Sequence, residues 1–251
     1  MNLNNNKSKI KILISKKTGK TYYSDILKDF HCKEGFIKKE DLSSNERIIY
    51  SNINREFLMF EASNYDYALK IKRGPQIILP KDLGYIISRT RVNKEFKIVE
   101  AGGGSGGATS FFAGIAKKVH TYEIIKENYE LIKKNLEYLK IKNVKLTKGD
   151  LTEHIEKEKD IDLLFLDMPD PKIILEKNLS GIKNGHYIVC YLPSISQISD
   201  LVNFIESVEY LYFEEISEII LRHWKINSRI SRPEHRKEID HTAFLVFIRK
   251  I

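Results

Sequence analysis

Apolar and polar positions alternate near the start of the chain. Ile10-Lys11-Ile12-Leu13-Ile14 reads as a half-buried strand, and Lys17-Thr18-Gly19-Lys20 as the turn that leads into Thr21-Tyr22-Tyr23. Further short strand-like pieces follow as far as Tyr67-Ala68-Leu69-Lys70-Ile71-Lys72, with no long helical period among them. Residues 1–73 are therefore expected to form a small, mainly β domain. From residue 74 the rhythm changes. Short apolar runs at 98–101, 119–122, 144–147, 162–166 and 186–191 read as strands, and apolar residues at helical spacing fill 81–91, 107–118, 125–140, 171–180 and 194–206. Strand and helix in alternation predict an α/β domain over 74–251, a doubly wound Rossmann-like parallel sheet with ligands beyond the strand C-termini. The runs at 209–221 and 241–249 have no helix between them, so the sheet is expected to close on an antiparallel pair.

Composition narrows the class. At 251 residues the chain can bury a full core. No apolar run approaches the roughly 18 residues of a membrane span, and the opening residues lack the apolar core of a signal peptide, so a cytoplasmic, non-membrane protein is expected. Cys32 and Cys190 stand far apart, without a spacing to histidine that suggests zinc, and no metal is expected. The net charge of +8 is unevenly placed. Lysines crowd residues 7–20, a second group is Lys70, Lys72 and Arg73, and a third runs through Arg222, Lys225, Arg229, Arg232, Arg236 and Lys237. Lysine-rich surfaces are common in some proteomes, but cations grouped in this way also gain counterion-release free energy on a polyanion.

The densest chemistry lies at Val99-Glu100-Ala101-Gly102-Gly103-Gly104-Ser105-Gly106-Gly107, where a strand turns through glycines into a helix. Glycines bring backbone N–H groups and a helix N-terminus close to a ligand, because no Cβ holds it off. The loop fits both the dinucleotide fingerprint and the loop of S-adenosylmethionine enzymes, so a nicotinamide-dependent oxidoreductase stays open at this point. Glu123, about twenty residues on at the end of the next strand, suits the two hydroxyls of a ribose in either cofactor. Glu100 could meet a cationic amino-acid moiety, which a nicotinamide cofactor lacks. Asp150 ends the third strand. Leu166-Asp167-Met168-Pro169-Asp170-Pro171 ends the fourth with a stiff turn that holds one carboxylate at the crevice. Carboxylates at the ends of successive strands point to a site.

Five elements now stand in order: Arg73-Gly74-Pro75-Gln76-Ile77-Ile78-Leu79-Pro80-Lys81-Asp82, the glycine loop, Asp167-Met168-Pro169-Asp170-Pro171, Tyr191-Leu192-Pro193-Ser194-Ile195-Ser196-Gln197 and His241-Thr242-Ala243-Phe244-Leu245-Val246. Together, over about residues 70–251, they resemble the tRNA adenine N1-methyltransferases that modify the T-loop adenine, position 58. The resemblance implies S-adenosylmethionine as cofactor, tRNA as partner, a small N-terminal β domain, a homotetramer and, in archaeal members, sometimes methylation of the neighbouring adenine as well. Matched by position, it assigns Gln76, Gly102, Gly103, Gly104, Ser105, Gly106, Glu123, Asn128 and Asp150 to the cofactor. Asp167 would be the catalytic aspartate, also beside the cofactor. Leu79 and Pro80 would meet the target base. Apart from the resemblance, the clustered charge of residues 7–20, 70–73 and 222–237, with Arg229 and Arg232 in the last, would hold the tRNA backbone. Two residues depart from the family pattern: Leu79 stands where an aromatic or His is common, and Lys172 where Trp is often found. A non-catalytic tRNA-binding subunit, or a methyltransferase with another acceptor, is the alternative. Trp224, a lone aromatic in a basic segment, is expected in the core rather than stacked on a base.

Overall fold

The computed structural model describes residues 10–63, 65–66, 77–227, 229–234 and 241–251. Gln76, the strand-like run at 67–72 and the basic residues at 7–9, 70–73 and 236–237 lie outside the described residues. The chain divides into two compact units, Met1–Ile71 and Lys72–Ile251.

The first unit contains an antiparallel sheet in the order β2-β1-β6-β5, formed by β1 (Ile10–Ser15), β2 (Thr21–Asp25), β5 (Ile48–Tyr50) and β6 (Glu56–Glu61). A separate hairpin pairs β3 (Phe30–Cys32) with β4 (Gly35–Ile37), and α1 (Lys39–Leu42) is a single turn. Its core is Leu13, Ile37, Leu42, Ile49, Phe57 and Met59. Along β1 it is the Lys11, Leu13, Ser15 face that is buried, whereas Ile12 and Ile14 are half-buried. Lys11 is tolerated inside because its ammonium pairs with Glu61 on the neighbouring β6.

The second unit opens with α2 (Pro80–Thr90), whose proline sits in the first turn where the missing N–H is not needed. It continues through β7 (Lys97–Ala101), α3 (Gly107–Ala113), β8 (Lys118–Glu123), α4 (Lys126–Leu139), β9 (Val144–Lys148), β10 (Ile161–Leu166), α5 (Lys172–Leu175), β11 (Ile182–Leu192), α6 (Ile195–Glu206), β12 (Leu211–Ser217) and β15 (Phe244–Lys250). These strands form one seven-stranded sheet in the order β12-β15-β11-β10-β7-β8-β9. β7 to β11 run parallel, and β15 is antiparallel to both β11 and β12. The predicted Rossmann-like sheet with its antiparallel closure is thus present.

Side chains alternate between two cores. Leu164 and Leu166 of β10, with Ile188, Cys190 and Leu192 of β11, face one; Leu163 and Phe165, with Tyr187 and Val189, face the other. Every residue of β10 is buried, which is why that strand reads as a nearly continuous apolar run. Two helices are shorter than the periodicity suggests: α3 stops at Ala113, before Gly114, and α5 is one turn long. The chain also forms a small hairpin, β13 (Trp224–Ile226) with β14 (Ser231–Pro233), that no periodicity announced. Trp224 is 57% exposed there, beside Ile226 at 73%. The expected core position for Trp224 is wrong: a three-residue strand paired to one partner leaves its rings in solvent.

Candidate active site

The chain winds from β7 outward to β8 and β9, then crosses back to β10 on the other side of β7. Beyond the C-terminal ends of β7 and β10 the connections diverge, and this switch point opens the crevice in doubly wound sheets. The glycine loop leaves β7 there. Gly102 (φ +82°), Gly104 (φ +56°) and Gly106 (φ +81°) adopt left-handed backbone, the last as N-cap of α3. A Cβ on Gly102 would lie 1.8 Å from the Asp167 carbonyl oxygen, and one on Gly103 2.7 Å from Ile132 and Thr121. The loop is therefore pressed between the end of β10 on one side and α4 and β8 on the other. At Gly104, unlike Gly102, Gly103 and Gly106, a Cβ would meet no atom within 4 Å, so this glycine faces open space.

Three carboxylates surround the loop. Glu123, at the end of β8, accepts from the Gly104 N–H and the Ile125 N–H, both at 2.8 Å, and fixes the loop while keeping further lone pairs. Glu100 is fully buried in β7, where its Oε2 accepts from the hydroxyls of Thr109 (2.6 Å) and Thr121 (2.7 Å). Burial raises its pKa to about 7 against the pull of those two hydrogen bonds. Asp167 follows β10; its N–H donates to the Ala101 carbonyl at 3.0 Å, and its side chain is only partly covered. Its carboxyl is likewise pushed up to about 7, first by desolvation and then by the charges of Glu100 and Glu123. The contact expected for Glu100 with a cationic ligand group is thus narrowed: Oε2 is engaged by two threonines, and Oε1 is buried without a hydrogen-bond partner. Ser105 Oγ in the loop is orphaned in the same way. Unsatisfied buried polar atoms beside an open left-handed glycine are what a polar ligand at this loop would complete.

The other sequence-predicted residues are placed as follows. Asp150 lies half-buried two residues past β9, and its Oδ1 accepts from the Thr152 N–H at 2.8 Å. Asn128 lies half-buried in the first turn of α4. Leu79 caps α2 and Pro80 begins it, both half-buried. Arg229 and Arg232 are exposed on the β13–β14 hairpin segment. Sequence reasoning missed a buried network next to Leu79. Lys81 Nζ donates to Asp82 Oδ1 (2.9 Å), the Ile219 carbonyl (2.6 Å) and Thr242 Oγ1 (2.8 Å). Asp82 Oδ2 accepts from Thr242 (3.0 Å) and from Tyr191 (3.2 Å). Tyr191 in turn feels the charge of Asp167. Nothing in the Pro80-Lys81-Asp82 string distinguishes this from a solvated pair at a helix start.

The model of the tRNA methyltransferase complex GCD14 subunit matches residues 64–243. The tRNA (adenine(58)-N(1))-methyltransferase TrmI of Thermus thermophilus is 28% identical over 88% of this chain and 88% of its own. Among solved structures, the tRNA (m1A58) methyltransferase TrmI of Aquifex aeolicus superposes with a TM-score of 0.81 at 29% identity, covering 99% of both chains. A Thermotoga maritima SAM-dependent O-methyltransferase superposes with a TM-score of 0.84 at 25% identity, covering 98% of this chain and 94% of that one.

Proposed function

The chain belongs to the family of the tRNA methyltransferase complex GCD14 subunit, and we propose that it transfers a methyl group from S-adenosylmethionine to N1 of the adenine at position 58 in the T-loop of tRNA. The observation that carries this reading is the partly exposed Asp167 held against Gly102 at the switch point, within the field of Glu100 and Glu123. When bound, S-adenosylmethionine supplies a methyl group on a positively charged sulfur. In our reading Gly102, Gly103, Gly104, Ser105 and Gly106 hold its amino-acid part, Glu123 its ribose, and Asp150 and Asn128 its base, with Gln76 contributing from outside the described residues. The fit rests on the open face of Gly104 and on the orphaned Ser105 Oγ and Glu100 Oε1.

Adenine N1 carries a free lone pair at neutral pH, so the chain needs no strong base. What it must do is extrude the base from the folded T-loop and hold it in line. As N1 forms its new bond, positive charge spreads into the ring and the exocyclic amine becomes more acidic. Ionised Asp167 accepts a hydrogen bond from that amine and stabilises the growing charge. Leu79 and Pro80 cover the base, and Arg229 and Arg232 hold phosphates. In this reading residues 1–73 form a domain of their own and residues 74–251 the catalytic domain. The exposed apolar residues Ile220, Trp224 and Ile226 support self-association, which we take to be a homotetramer. We take the enzyme to act in the cytoplasm.

The test is direct. Purified protein is incubated with unmodified tRNA transcript and S-adenosylmethionine, and the digested RNA is mapped by mass spectrometry. N1-methyladenosine at position 58 is the expected product, and the map shows whether the neighbouring adenine is also modified. Cofactor binding without N1-methyladenosine would refute the assignment and favour another acceptor. Binding of tRNA without cofactor would favour a non-catalytic subunit.

A further inference from the structure

A cleft of about 520 Å³ lies outside the site just described, between the second half of α4 and the edge strand β9. Its floor is apolar: Leu136 from the helix, and Val144 and Leu146, which alternate onto the same face of β9. As an edge strand covered by only one helix, β9 leaves those two side chains half-exposed. The rim carries Lys133, Lys140 and Lys142, all exposed, and Tyr129 stands at the end nearer the active site. Glu137 also reaches the rim, so the local balance there is two positive charges. Lys134, Lys145 and Lys148 extend the basic surface around it. None of these lysines forms an ion pair among the described residues, although elsewhere in the unit Lys81, Lys97 and Lys183 each have a carboxylate. An apolar floor beside an aromatic ring, rimmed by unneutralised lysines, has the chemistry of a site for a nucleotide of RNA: a π-face to stack the base and cations for the phosphates on either side.

Resting on the reading that tRNA is the substrate, we propose that this cleft is a second RNA contact, distinct from the crevice. It takes an unpaired nucleotide against Tyr129 and its flanking phosphates on Lys133, Lys140 and Lys142. Helix α4 links the two places. Asn128, in its first turn, belongs to the proposed cofactor pocket, and Lys140 caps its far end twelve residues on, about 18 Å along the axis. One rigid element therefore sets the spacing between the bound cofactor and the anchored nucleotide. An acidic protein segment would be drawn to the same lysines but has no use for the stacking surface, and RNA is the polyanion the family already handles.

The experiment compares the wild type with Lys133→Gln/Lys140→Gln/Lys142→Gln and with Tyr129→Ala. Readouts are tRNA affinity over a range of salt, the KM and kcat of methylation, cofactor affinity and melting temperature. A second measurement maps photo-cross-links from 4-thiouridine-substituted tRNA. For the triple variant the expected result is a tRNA KM and Kd raised at least tenfold, with kcat and cofactor affinity unchanged. The salt-dependence slope should fall by about 2, from three lost contacts at about 0.7 each. Cross-links should appear in the peptide carrying Tyr129 and vanish in the triple variant. Unchanged tRNA affinity and slope would overturn the inference even if the enzyme methylates tRNA normally, and so would a parallel loss of cofactor affinity. If the wild type binds tRNA through these residues but produces no N1-methyladenosine, the cleft stands and the assigned reaction falls.

Discussion

Gly102 and Gly104 both have left-handed backbone, but their surroundings differ, and Ala substitutions should separate two roles of one loop. Placing any Cβ at such a φ costs about 1–2 kcal/mol. At Gly104 that is the whole penalty, because the new methyl meets nothing within 4 Å. At Gly102 the methyl would lie 1.8 Å from the Asp167 carbonyl oxygen and 2.8 Å from its carbon. The loop and the end of β10 must separate, and overpacking of this kind adds about 1–3 kcal/mol. Gly102→Ala is thus expected to cost about 2–5 kcal/mol and Gly104→Ala about 1–2 kcal/mol. At roughly 2–4 °C per kcal/mol for a unit of this size, the melting temperature falls on the order of 10 °C in the first case and about 2–8 °C in the second. The functional order is different. Gly104→Ala fills the open face of the loop and should weaken S-adenosylmethionine binding at least tenfold in a protein that remains folded. Gly102→Ala should lose methyl transfer because Asp167 is displaced. Differential scanning fluorimetry, calorimetric cofactor titration and single-turnover methylation measure the three quantities. Normal cofactor affinity in Gly104→Ala would show that the loop does not approach the cofactor, and the site as drawn would be wrong.

Asp167→Asn should slow single-turnover methylation at least about 100-fold with cofactor affinity nearly unchanged. In the wild type the rate should rise with pH through a midpoint at or below about 7 and then level, because the carboxyl is held up to about 7 and a bound sulfonium can only lower it; a rate flat from pH 5 to 8 would exclude ionised Asp167 from the step. Glu100 bears on stability instead. Its folded pKa of about 7 exceeds its ordinary value, so the folded state binds the extra proton between about pH 4 and 7 and stability falls as pH rises through that window. Glu100→Gln should therefore melt higher than wild type at pH 8 and close to it at pH 4.5, and the reverse order would contradict the burial argument. Lys81→Met strands the buried Asp82 carboxylate and should cost about 3–5 kcal/mol in urea unfolding. Most of that loss should be recovered in Lys81→Met/Asp82→Leu. Leu79→Tyr should raise kcat/KM for tRNA about fivefold or more, since stacking on a base contributes about 1–3 kcal/mol; no gain would remove Leu79 from the base-holding position.

The architecture of the second unit was legible in the chain before any contact was known, and so were most of the candidate site residues. Alternating apolar runs and helical stripes are local consequences of burying one face of each element, so the order of strands and helices could be read directly. The glycines and the strand-end residues Glu123, Asp150 and Asp167 were legible because turns from strand to ligand leave short, recognisable strings. What pairs across the chain was not legible. Lys81 meets Thr242, a partner 161 positions away, and the string around either residue looks like solvated surface. The string around Glu100 gave no sign that Thr109 and Thr121 engage one of its two carboxylate oxygens and leave only the other unpartnered. Trp224 looked like core, because hydrophobicity is a property of the residue while exposure depends on whether another element covers it. The cleft over β9 exists only because that strand ends the sheet, a fact set by strand order and by no residue within it. Elements follow from short-range periodicity; burial, ion pairing and clefts follow from which distant surfaces the folded chain brings together.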